Sequence, residues 1–250
     1  MNPDTLVVVH CYSGDELLVQ QLLPIFLHHE CPVLVLSPED SAVTIDNPRV
    51  ENATAGKKGW KGEHTLYRQL EHWKLALQRP QSWFLLNDAD SACLSPDLPP
   101  HLYADPNKFW CNVLCHENEH LESDRPNLNP PYFMHRIVLE AMVKRAEEME
   151  LPEGTDFDGY NDQLAIDGFY TRLIINELHV SYENYPDGAT TWPRGIQDLH
   201  DHVKSGARFI HGVKHSLDAQ LMVNNYHVWR REHMAVPEEA SFGFGDTVTI

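Results

Sequence analysis

Two carboxylates one residue apart, Asp88 and Asp90 in Asn87-Asp88-Ala89-Asp90, stand directly after the apolar run Trp83-Phe84-Leu85-Leu86. Carboxylate oxygens are the ligands that hard divalent cations prefer. In open α/β sheets, ligands gather outside the carboxyl ends of the strands. An Asp-x-Asp at such a strand end suits Mg2+ or Mn2+, and a cation there would bridge a diphosphate and stabilise charge on a leaving group. An ordinary Asp-rich turn carries the same tripeptide, and the position after a buried strand is what favours the cation reading. Far downstream, His211 closes the run Arg208-Phe209-Ile210, with Gly212 and then Lys214 after it. A neutral imidazole at a strand end suits a ligand and accepts Mn2+ better than Mg2+, so Mn2+ is the preferred ion. The chain has 16 histidines, so an isolated one would carry no such weight; Asp-x-Asp upstream and Gly-x-Lys downstream supply it.

Alternating strand and helix patterns predict the frame for these residues. Leu6-Val7-Val8-Val9-His10 reads as a buried parallel strand. Residues 15–29 have helical spacing through Leu17, Leu18, Leu22, Leu23 and Phe26, with Pro24 either delaying or kinking the helix. Val33-Leu34-Val35-Leu36 is the next strand, and the three elements make a β-α-β opening that crosses over right-handed. Residues 54–62 form a Gly- and Lys-rich loop. A helix over 63–78 turns Leu66, Leu70, Trp73 and Leu77 to the core, and Trp83–Leu86 is a third strand. Beyond it we expect a strand at 109–114, a loop at 117–131, helices over 132–149 and 160–178, and a strand at 179–182. A loop at 186–195, a strand at 208–211 and a helix over 216–232 complete the pattern. This is α/β architecture in one domain, 1–236, with a nucleotide- and metal-binding half to about residue 115 and an acceptor-side half from about 116. Residues 237–250 read as a weakly structured tail.

The bulk numbers narrow the function classes. The 250 residues carry 19 Lys and Arg against 37 Asp and Glu, a formal charge of −18. That balance disfavours broad contact with nucleic acid or an anionic membrane, although Lys57, Lys58 and Lys61 leave room for a local basic groove. No apolar stretch is long enough for a membrane-spanning helix, and the start lacks the pattern of a signal peptide. Five cysteines, an odd count, suit free thiols in a reducing, cytoplasmic compartment.

A helix, an apolar strand and then Asp-x-Asp resemble GT-A-fold glycosyltransferases, whose Rossmann-like fold has a mixed, mainly parallel sheet between helices. The resemblance is greatest to the glycogenin and lipopolysaccharide galactosyltransferase group. That group has a late His-x-x-Gly-x-x-Lys-Pro-Trp segment, and Phe209-Ile210-His211-Gly212-Val213-Lys214 is a shortened analogue with His215-Ser216 in place of Pro-Trp. The resemblance implies that His211 joins Asp88 and Asp90 as a metal ligand, and that Lys214 contacts phosphate. It places the nucleotide base at His10-Cys11-Tyr12-Ser13, so that His10 and Tyr12 would be donor contacts; a plain strand-to-helix turn capped by Ser13 is the alternative. It puts Arg68, with Tyr67 beside it, where the central helix of such enzymes reaches the donor phosphate or sugar. It puts Asp162 and Gln163, in Gly159-Tyr160-Asn161-Asp162-Gln163-Leu164, near the transferred sugar; an N-terminal helix cap is the alternative for Asn161 or Asp162.

The activity so implied is transfer of a hexose, glucose or galactose, from a UDP-sugar to a hydroxyl acceptor with retention of configuration. The acceptor stays open among a saccharide, a protein, a small molecule and a hydroxymethylated base of bacteriophage DNA. A nucleotidyltransferase or a non-catalytic nucleotide-sugar-binding protein are the rivals, and stable membrane insertion is not expected. Cys111-x-x-x-Cys115-His116 with His120 does not make a tetrahedral zinc site unaided. Asp156 with Asp158 reads as a solvated linker, and Trp192 either stacks on an acceptor or anchors a loop.

Overall fold

The computed structural model describes residues 4–11, 14–56, 63–94, 98–114, 127–148, 174–185, 189–191, 201, 208–213 and 221. The β-branched run Thr5–His10 forms strand β1, fully buried, and Glu16–His28 forms helix α1. The helix starts well before Pro24 and keeps it inside. Its buried stripe is Val19, Leu22, Ile25 and Phe26, while Leu17 is exposed. Val33–Ser37 is β2, Val50–Thr54 is β3, Glu63–Leu77 is α2 and Trp83–Asp88 is β4. Strand β3, Val50-Glu51-Asn52-Ala53-Thr54, lies outside the predicted pattern: it is a half-exposed edge strand with no apolar run to announce it.

Ala92–Cys93 is β5, Lys108–Leu114 is β6, Asn127–His135 is β7 and Arg136–Glu148 is α3. Here the structure corrects the sequence. The segment 127–135, expected as the end of a loop and the start of a helix, is a nine-residue strand. Pro130 and Pro131 argued against a strand because they donate nothing to a ladder. They fit because Trp110 pairs with Phe133 while Asn112 pairs with Asn129, an irregularity that sets both prolines beside a register shift. Ser181–Asn184 is β8, Ala189–Thr191 is β9 and Phe209–His211 is β10. Strand β8 begins two residues later than expected, and β9 replaces part of a predicted loop. Residues 174–177 are helical, as expected for the end of the 160–178 helix. The rest of that helix, most of 216–232 and the tail lie outside the described residues.

Seven strands form the central sheet in the order β3-β2-β1-β4-β7-β6-β8. Strand β7 runs antiparallel to both neighbours and the other pairings are parallel, so the sheet is mixed and mainly parallel, flanked by helices as the sequence predicted. Successive side chains alternate between its faces. On one face Val7, Val9, Val33, Val35, Leu85 and Phe133 pack with α1 and with Cys93, Phe209 and Ile210. On the other, Leu6, Val8, Leu34, Phe84, Leu86 and Met134 pack with Leu70 and Trp73 of α2 and with Val138 and Met142 of α3. A second sheet has the order β5-β10-β9. No helix among the described residues is long and apolar enough to cross a membrane.

Candidate functional site

The strand order places a switch point between β1 and β4. From β1 the chain moves outward through β2 and β3, then returns to the other side of β1 for β4. Such a reversal opens a crevice at the carboxyl ends of the two strands. His10 ends β1 and Asp88 ends β4, and they are partners in register there.

Asp88 opens a tight turn that Ser91 closes. The Asp88 N–H donates to Ser91 Oγ at 2.8 Å, the Ser91 hydroxyl donates to the Asp88 carbonyl at 3.1 Å, and the Ser91 N–H donates to the same carbonyl at 3.0 Å. The turn hands the chain to β5, which pairs antiparallel with β10 through Ala92 with Ile210 and Cys93 with Phe209. The Leu94 N–H donates to the Arg208 carbonyl at 2.6 Å and the Val213 N–H to the Asp90 carbonyl at 3.0 Å, so both ends of β10 are tied to the Asp-x-Asp segment. Gly212 has φ of 86°, a left-handed conformation that glycine adopts without cost and that turns the chain directly after His211.

The result is a cluster of three side chains. His211 Nε2 lies 3.7 Å from Asp88 Oδ2 and 3.8 Å from Asp90 Oδ1, and one ligand atom from each residue falls within 4.8 Å of the others. These separations exceed hydrogen-bond lengths. Two ligands each held about 2.1 Å from one ion stand roughly 3 to 4.2 Å apart, so the histidine spacing matches a shared cation and the full set needs little contraction. The side chains of Asp88 and Asp90 are 27% and 16% exposed, and two carboxylates so close and so shielded repel each other unless a positive charge lies between them. Two carboxylates and a neutral imidazole carry a charge of −2, which a divalent ion cancels. The donor set fits Mn2+ or Mg2+.

His10 reaches the same edge, and its ring lies nearly parallel to that of His72 from α2, edge to edge through the two Nδ1 atoms. Nothing in the sequence marked His72, since it adjoins the buried Trp73 on an otherwise apolar face; Ser91, three residues after Asp88, does follow a turn signature. Arg68 lies in α2, but its side chain, like that of Tyr67, is outside the description. Tyr12, Asp162, Gln163 and Lys214 lie outside the described residues, as do Lys57, Lys58, Lys61, Asp156, Asp158, Trp192, Cys115, His116 and His120. Three of the described cysteines, Cys11, Cys31 and Cys111, are poor reactive groups. Cys11 sits next to the site, and burial, reinforced by Asp15, Glu16 and Asp88, raises its pKa well above the usual thiol value. Burial also pushes Cys111 up strongly, and Cys31 to about 11.

No protein-family model matches the chain, and no curated protein matches it. Among solved structures it is similar to the galactosyltransferase LgtC in complex with donor and acceptor sugar analogs, at 12% identity and a TM-score of 0.46, over 94% of this chain and 98% of that one. It is also similar to the glycosyltransferase GlyE of Streptococcus pneumoniae TIGR4, at 9% identity and a TM-score of 0.47, over 91% of this chain and 62% of that one. Likenesses this distant carry no information on what the present chain binds or transfers.

Proposed function

We propose that the chain is a metal-dependent glycosyltransferase acting on a nucleotide-sugar donor. One observation carries the reading: His211, more than 120 positions from Asp88 in sequence, comes to 3.7 Å from it at the sheet's switch point. The resemblance in sequence assigned that histidine to that pair of carboxylates. Asp88, Asp90 and His211 would hold Mn2+, or Mg2+ in its place. When bound, the ion supplies positive charge that orients the donor diphosphate and neutralises it as it departs.

The chain's own groups divide the remaining work. Lys214, three residues past His211, would add a cation for the phosphates, and Arg68 a bidentate contact to phosphate or vicinal hydroxyls. His10 and Tyr12 would meet the nucleotide at the end of β1. Asp162 would bind sugar hydroxyls or the acceptor, with Gln163 close to the anomeric carbon. In the reaction the bond from the anomeric carbon to the diphosphate oxygen breaks and a bond to the acceptor hydroxyl oxygen forms, with that hydroxyl's proton passing to the departing diphosphate. UDP-glucose or UDP-galactose is the donor we favour, with retention of configuration and no separate general base.

The test is release of nucleoside diphosphate from a panel of UDP-, GDP-, ADP- and TDP-sugars, with Mn2+ and with EDTA. Slow donor hydrolysis needs no acceptor, so the acceptor need not be known. Mn2+-dependent release from one donor is the expected result. Pyrophosphate release would favour a nucleotidyltransferase, and metal-independent or absent turnover together with absent donor binding would overturn the proposal.

A further inference from the structure

His10 and His72 form a buried imidazole pair. Their Nδ1 atoms lie 2.9 Å apart, their rings are nearly parallel with centroids 5.1 Å apart, and the residues are 7% and 1% exposed. His10 ends β1 in register with Asp88, while His72 comes from the face of α2 that packs on the sheet through Leu70, Trp73 and Ala76. Apolar side chains would cover that surface without the cost of desolvating two rings. A hydrogen bond between two Nδ1 atoms needs one that carries a proton and one that does not. In the neutral pair the two rings are therefore opposite tautomers, and the second nitrogen of His10 carries a proton only when that of His72 does not.

We infer that His72 is a positioning residue of the candidate site: through the shared Nδ1 hydrogen bond it holds the orientation of His10 beside Asp88 and ties the tautomer of His10 to its own, so that His10 presents its second ring nitrogen to the nucleoside diphosphate held there. The ligand named here rests on the glycosyltransferase reading; the pairing of the rings does not. His72 itself touches no substrate. It acts from behind, as a second imidazole or a carboxylate does in orienting a functional histidine.

The experiment combines 15N-histidine NMR of the whole chain with calorimetric binding of UDP in the presence of Mn2+, for the wild type, His72→Asn and His72→Phe. Asparagine keeps a polar group near the Nδ1 position, and phenylalanine keeps a buried flat ring without it. In the wild type His10 and His72 should show opposite tautomers. His72→Phe should weaken UDP binding about tenfold, the scale of one hydrogen bond, with Mn2+ affinity unchanged, and His72→Asn should recover most of the loss. A nucleotide-free arm reads paramagnetic broadening of the His10 ring by Mn2+, which should change in His72→Phe and return in His72→Asn. If His72→Phe does not fold, His72→Gln, whose amide lies beyond the Nδ1 position, replaces it. Like tautomers in the wild type, or unchanged broadening in the ring variant, would overturn the inference. A wild type that shows opposite tautomers but binds no UDP with Mn2+ would instead overturn the donor reading, and the broadening arm would then decide the role of His72.

Discussion

The two sheets are held together by different means. The seven-stranded sheet has deep apolar layers on both faces, with Leu6, Val7, Val8, Val9, Phe84 and Leu85 essentially inaccessible to solvent. The three-stranded sheet has strands of only two or three residues and owes its place to what it leans on. Phe209 stacks on Tyr185 with ring centroids 3.5 Å apart, and the Tyr185 hydroxyl donates to the Pro131 carbonyl at 2.9 Å, with the Trp110 carbonyl 3.4 Å away. Tyr185 thereby joins β10 to the irregular stretch of β6 and β7 where the prolines leave the ladder incomplete. The candidate cation site lies across this junction, with Asp88 ending a strand of the large sheet and His211 ending one of the small sheet. A bound ion would cross-link a sheet that is stable by burial to one that is stable by docking.

Breaking the large sheet should have the greatest effect. Phe84→Ala removes a fully buried ring and should cost ~3–5 kcal/mol, read as a fall in the chemical denaturation midpoint of the whole chain. Next comes the cross-link itself. Mn2+ at about 100 times its dissociation constant should stabilise the protein by ~2.7 kcal/mol, and thermal unfolding of Asp90→Asn or His211→Ala with and without Mn2+ should show that increment lost. Asp90→Asn should also abolish Mn2+-dependent donor turnover while far-UV circular dichroism stays unchanged. Tyr185→Phe keeps the stack on Phe209 but strands buried carbonyls, at a cost of ~1–3 kcal/mol. Hydrogen exchange should then speed up at Phe209 to His211 more than at β1 or β4, and uniform acceleration would mean that the small sheet is not a separate unit. Smallest of all, Leu17→Ser on the exposed side of α1 should change stability by less than ~0.5 kcal/mol.

The same contrast decides what could be read from the sequence. Strands β1, β2 and β4 are continuous apolar runs because both faces of a mainly parallel sheet are covered, and such runs stand out. Strands β5 and β9 are too short to have a period, and β3 is an edge strand with polar residues on both sides of its pleat. Strand β7 was hidden by Pro130 and Pro131, whose backbone restriction is absorbed at a register shift that no local pattern reveals. Asp88 and Asp90 were legible because they sit at the end of a recognisable strand. His211 was legible because Gly212 and Lys214 frame it, yet nothing local showed that β5 would pair with β10 and bring it to the carboxylates. His72 was not legible, since its importance comes from a partner 62 positions away at the end of β1.

The most direct test of the account is the stoichiometry of Mn2+ bound by the whole chain, measured by electron paramagnetic resonance for the wild type, Asp88→Asn, Asp90→Asn and His211→Ala. A single tight Mn2+ in the wild type, weakened at least about tenfold in each of the three variants, is the result expected of one site built from two sheets. Tight binding that survives His211→Ala and either carboxylate change would contradict it, and would leave the approach of His211 to Asp88 and Asp90 as packing alone.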